Sequence, residues 1–169
     1  IPGNGGNTSV KMSVSPVCED CIYFASGNGI WRSVNKGVDF TFISDPGVGS
    51  QGFAVSDLDT NVMLYGYVDA YASTDAGLSF DQVTWWGLFA VPIDGGQYIH
   101  ADLRRARCIN GNFYGVTDGL LGRSADNGVT WDILTDNIGI RENYTLGVSQ
   151  SNHYRTMVGS QDNGTSIKH

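Results

Sequence analysis

Positive charge is scarce in this chain: 10 Lys and Arg stand against 17 Asp and Glu, for a formal net charge of -7. A nucleic-acid-backbone binder wants a basic stripe, so nucleic acid is excluded as a partner. Long hydrophobic runs are also missing. No apolar stretch approaches the roughly 18 residues that read as a membrane-spanning helix, and no membrane insertion is expected. The opening IPGNGGNTSV has no basic segment and no apolar core, so no signal peptide is expected within it. Cysteine is limited to Cys18 and Cys21 in CEDC and Cys108 in ARCINGN. A zinc site needs further ligands at matching spacing, and no second CxxC occurs. A small structural disulfide or idle thiols are therefore expected rather than a metal, with one thiol free or paired outside the chain. No GxSxG elbow is present for a nucleophilic triad, and no metal or cofactor is expected.

What the 169 residues do hold is 23 Gly, with Tyr, Phe, Trp, Val and Thr in short runs and none at helical period. Such runs punctuated by Gly, Asn and Asp predict an all-β protein. One pattern recurs three times, with Ser, Asp or Asn, Gly and an aromatic at fixed offsets. It reads Ser33, Asn35, Gly37, Phe40, then Ser73, Asp75, Gly77, Phe80, then Ser124, Asp126, Gly128, Trp131. The serines are spaced by 40 and 51 residues, a period that suggests propeller blades. Each unit reads as four short strands with the box on the hairpin between the third and fourth.

Blades are expected over about 8–44, 51–85 and 99–135, with an incomplete one over 143–169. In the last unit, the register of the preceding strand puts QDNG between second and third strands, so the chain stops where a fourth box would begin. The expectation is a β-propeller of about three and a half blades, completed by a longer chain or by a partner. The box itself reads as scaffold. Its Ser and Asp side chains accept bonds from loop N–H groups, its Gly supplies positive φ, and its aromatic folds into the core. Asn35 in the first copy shows that charge is dispensable there.

The three boxes resemble the Asp-box (BNR) repeats of sialidase-like and sortilin-like propellers. A tighter likeness covers YIHADLR, VTDGLLGRSADNGVTW, NIGIRENYTLGVS and VGSQDNGTS. That succession resembles large secreted Bacteroidetes propeller proteins of the type IX secretion kind and, more distantly, xyloglucan-degrading glycoside hydrolases. The resemblance implies a secreted or cell-surface location. One departure stands out: the group has a second Gly after TDG, where this chain has Leu120.

Strand alternation sorts the loops onto two faces, with the boxes on one. The opposite rim is expected to gather His100, Asp102, Asp118, Arg141, Glu142, Asp162 and Asn163. The insertion WWGLFAVPIDGGQY, residues 85–98, adds Trp85, Trp86, Phe89 and Tyr98 there. Flat rings and acids suit a glycan or protein ligand; the same rings would equally pack over the propeller mouth or against a neighbouring blade. His100 and Asp102, two apart on the expected first strand, would share a face. For glycoside hydrolysis the pair to test is Asp102 and Asp162. Sialidase chemistry is disfavoured, because Arg104, Arg105 and Arg107 sit too close on one strand to converge. Sequons at Asn7, Asn143 and Asn163 matter only in a source that glycosylates.

Overall fold

The computed structural model describes residues 10–27, 29–88, 96–135, 143–152, 154–160 and 164–168. Four antiparallel sheets follow one another along the chain. The first runs β1 (Lys11–Ser15), β2 (Cys18–Ser26), β3 (Gly29–Ser33), β4 (Thr41–Ser44). The second runs β5 (Gly52–Val55), β6 (Met63–Gly66), β7 (Ala70–Ser73), β8 (Asp81–Gln82). The third runs β9 (Arg105–Ile109), β10 (Asn112–Val116), β11 (Leu121–Ser124), β12 (Asp132–Ile133). The last has β13 (Asn143–Val148), β14 (Thr156–Ser160) and β15 (Thr165–Lys168). First strands β1, β5 and β9 lie side by side. A short 3-10 turn at Trp86–Leu88 is the only helical element among the described residues. This is an all-β propeller built from four-stranded antiparallel blades.

Strand alternation explains how the blades pack. Phe53, Val55, Met63 and Tyr65 of the second sheet face Cys21, Tyr23, Ala25 and Ile30 of the first. The intervening Ala54 and Leu64 point the other way, into a core with Phe113, Leu120 and Trp131 of the third sheet. Each middle strand thus supplies two interfaces, as a side-chain period of two requires. Leu103, fully buried, fills a hollow left by Gly52, Gly66 and Gly115, where added Cβ atoms would clash with it.

The three boxes fold alike. Ser33, Ser73 and Ser124 each accept the N–H of their box glycine, at 2.9, 2.9 and 2.8 Å. Oδ1 of Asn35, Asp75 and Asp126 accepts an N–H four residues on, at 2.9, 3.0 and 2.8 Å. The residue before each glycine is left-handed too: Lys36, Ala76 and Asn127 have φ of 57, 62 and 63°. Sequence reasoning assigned positive φ to the glycines alone. Trp131 is fully buried between blades, whereas Phe80 and Phe40 are half-buried against Tyr65 and Phe24, with centroids 5.7 and 5.1 Å apart.

One expectation changes. The first strand of the third blade begins at Arg105, so His100 and Asp102 precede it. The reason is local: Asp102 is left-handed at φ 63°. Its N–H and that of Leu103 donate to Val68 O and Tyr67 O of the second blade, at 3.3 and 2.8 Å, rather than to β10. In the last sheet, β14 and β15 pair on either side of residues 161–163, as the register of QDNG requires. Its apolar side chains Tyr144, Leu146, Val148, Met157 and Ile167 are exposed. Cys18 and Cys21 form a disulfide, and Cys108 is a free thiol.

Candidate functional site

The rim opposite the boxes is built where the second and third blades meet. Arg104, just ahead of β9, is its hub. Its Nε and Nη2 donate to both oxygens of Asp118 at 2.7 and 3.1 Å. Nη1 donates to Gln51 Oε1 at 2.7 Å, and Asp102 Oδ2 stands 3.7 Å from Nη2. Gln51 Nε2 in turn reaches Asp102 Oδ1 at 3.5 Å. Two carboxylates, one guanidinium and one amide thus satisfy each other across the blade junction.

Asp118 reaches this network from a tight turn closed by Thr117, whose Oγ1 accepts the N–H of Leu120 at 3.0 Å. The hydrogen bonds from Arg104 hold the Asp118 carboxyl below its ordinary value, against the opposing effect of burial. A carboxylate held ionised this way is a poor general acid, which needs the opposite shift.

The aromatic loop rests beside this network. Asp69 anchors it, accepting the Trp86 N–H at 2.7 Å and the Gln82 amide at 3.1 Å. Trp86 is half-buried, its ring 4.5 Å from His100 and 6.0 Å from Tyr98 between centroids. Tyr98 is 4% exposed and belongs to the core. His100 is 6% exposed, with Nδ1 3.3 Å from Ala101 O. Its Nε2 has no partner among the described residues. Gly119 has room only for hydrogen, because a Cβ would run into the His100 ring.

The structure therefore brings Trp85, Trp86, Tyr98, His100, Asp102 and Asp118 to one rim but gives them different roles. Trp85 and Trp86 are half-buried, and Tyr67 and Val68, just ahead of Asp69 in the chain, are exposed. Tyr98 and His100 are buried and support the Trp86 indole rather than facing outward. Phe89, Arg141, Glu142, Asp162 and Asn163 lie outside the described residues. Sequence reasoning missed Gln51 and the tethering role of Asp69, because neither stands in a motif. Arg104 of the neighbouring blade reveals what Gln51 holds, and the loop folded back at Trp86 reveals what Asp69 holds.

No family model matches the chain, and no curated protein matches it. Solved structures do. A GH74 enzyme from Niastella koreensis superposes with a TM-score of 0.58 at 20% identity, over 93% of this chain and 22% of its own. YCF48 bound to D1 peptide gives 0.51 at 16% identity, over 96% of this chain and 53% of that one. The WD40 β-propeller domain of Doa1 gives 0.52 at 11% identity, over 97% and 52%. At these identities the likeness establishes the propeller fold. The chain spans about a fifth of the length of the Niastella enzyme, at 22%.

Proposed function

We propose that this chain belongs to a secreted or cell-surface propeller of the Asp-box kind, which acts as a binding or interaction module for a glycan or protein ligand. The ligand lies on the rim opposite the boxes. The observation that carries the reading is the half-buried pair Trp85 and Trp86, the second tethered through its N–H by Asp69 and in ring contact with His100, with exposed Tyr67 and Val68 just ahead of Asp69 in the chain. Rigid rings held at a rim offer contact area at little entropic cost. The Cys18–Cys21 disulfide fits an oxidising compartment. A solved neighbour, YCF48, is bound to a peptide, which supports a ligand-binding use of the fold. The remainder of a longer propeller, or a partner chain, is the further partner in this reading.

The alternative is a glycoside hydrolase with Asp102 and Asp162 as its acids, and likeness to a GH74 enzyme keeps it in view. Against it, the Arg104 network engages both Asp102 and Asp118. A purely structural place in an extracellular assembly is the third reading. Trp86→Ala separates them: a binder loses affinity with no turnover at any time, whereas an assembly component shows neither binding nor turnover. If Asp102→Asn abolishes a measured glycan hydrolysis while the fold survives, the module reading fails.

A further inference from the structure

Between β1 and β9, with β5 at its floor, lies a cavity of about 670 Å³ that the rim does not include. Lys11, Arg105 and Arg107 line it, and its lining contains no acidic residue. In a chain of net charge -7 with only 10 Lys and Arg, three cations around one hollow are a local inversion of sign. Among the described residues none of the three has an ion-pair partner.

The acids at the two ends of β9 are engaged elsewhere. At one end Asp102 and Asp118 belong to Arg104. At the other, Asp57 accepts the N–H groups of Asn110 and Gly111 at 2.6 and 2.8 Å. Concave walls focus the field of such unpaired cations. Phe53, 3% exposed, and half-buried Tyr114 bring two rings to the lining, but most of the remainder is aliphatic, including Met12, Val14, Val55 and Ile109. Aliphatic walls suit apolar side chains better than sugar rings, which favour flat aromatic platforms.

We propose that this cavity binds a short acidic peptide segment, its carboxylates on Lys11, Arg105 and Arg107 and its apolar side chains against the aliphatic walls. The volume falls within the range of roughly 300–1,000 Å³ typical of ligand sites. The proposal deepens the reading of the chain as a binding module by naming a partner chemistry, at a place separate from the Trp85–Trp86 rim.

The test is a fluorescence-anisotropy titration of the whole chain with a labelled peptide of alternating glutamate and valine. A lysine–valine peptide and hexagalacturonate run alongside. The acidic peptide should bind, weaken as salt rises, and lose about tenfold or more in affinity in the Arg105→Gln, Arg107→Gln double variant. Lys11→Gln, with a thermal melt to confirm folding, should weaken binding in the same direction. Trp86→Ala should leave this binding unchanged even where it abolishes a rim ligand, so the two readings fail separately. Absence of acidic-peptide binding, equal binding of the lysine peptide, or undiminished binding by a folded double variant overturns the proposal. Hexagalacturonate binding as tightly as the peptide would replace it with an acidic-glycan site.

Discussion

Arg104 grips Asp118 with two hydrogen bonds, Nε to Oδ1 at 2.7 Å and Nη2 to Oδ2 at 3.1 Å. The Asp118 side chain is 3% exposed, against 46% for Arg104. The acid is therefore the partner that cannot fall back on water. Removing Arg104 as Ala leaves a buried carboxylate short of donors and should cost about 2 kcal/mol.

Acid should act on the same pair. The folded-state pKa of Asp118 is lowered from 3.8, chiefly by hydrogen bonds from Arg104. Its stabilising contribution is thus fully present above about pH 4 and is lost as pH falls through the depressed folded value. Denaturant unfolding from about pH 7 to about pH 3 should show a steeper acid loss for the native chain than for Arg104→Ala. Parallel curves would mean that the pair is not coupled to folding.

Leu103 makes a second test of how the blades meet. It occupies space that Gly52, Gly66 and Gly115 leave open. Leu103→Ala should cost about 2–5 kcal/mol through the cavity it leaves. Gly66→Ala should also destabilise, by about 1–3 kcal/mol, because the new methyl has no room. Thermal melts of both variants check this, and a neutral Gly66→Ala would show that the hollow is slack.

The boxes should behave as scaffold. Asp126→Ala unpairs the N–H and hydroxyl of Thr130, at 2.8 and 2.6 Å, and should cost about 1–2 kcal/mol. Asp126→Asn should cost less, since Asn35 accepts the equivalent N–H without a charge. Ligand binding at the opposite rim should survive both. Lost binding with unchanged stability would reassign the box to function.

The second box carries its own pH signature. Hydrogen bonds from the N–H and hydroxyl of Ser79, then from Ser73, lower the Asp75 pKa from 3.8 to about 2. A lowered folded value means that the loop is favoured above the ordinary carboxylate range and loosens only as pH falls through about 2. NMR titration of the Asp75 carboxyl should therefore show an ionised group at about pH 3, roughly one unit below the ordinary aspartate value. A titration near 3.8 would contradict the bonding in the loop.

The sequence made the boxes legible because the side-chain bonds of their Ser and Asp or Asn are local, spanning two to four residues. The blade cores were legible from alternation. What escaped was set by neighbours. Residues 99–104 carry strand-like spacing, yet bonds from Asp102 and Leu103 to the second blade pull them out of β9. Tyr98 reads as a loop aromatic but is core. Gln51 and Arg104, 53 residues apart, have no sequence signal that joins them.

The most direct test of the rim as a binding surface is a tryptophan-fluorescence titration of the native chain, Trp86→Ala and Asp102→Asn with a panel of polysaccharides led by xyloglucan, with reducing ends measured in the same samples. A saturable response is expected in the native chain, its loss in Trp86→Ala, and no release of reducing ends from any sample. Reducing-end release by the native chain that disappears in folded Asp102→Asn would contradict this and make the rim an active site.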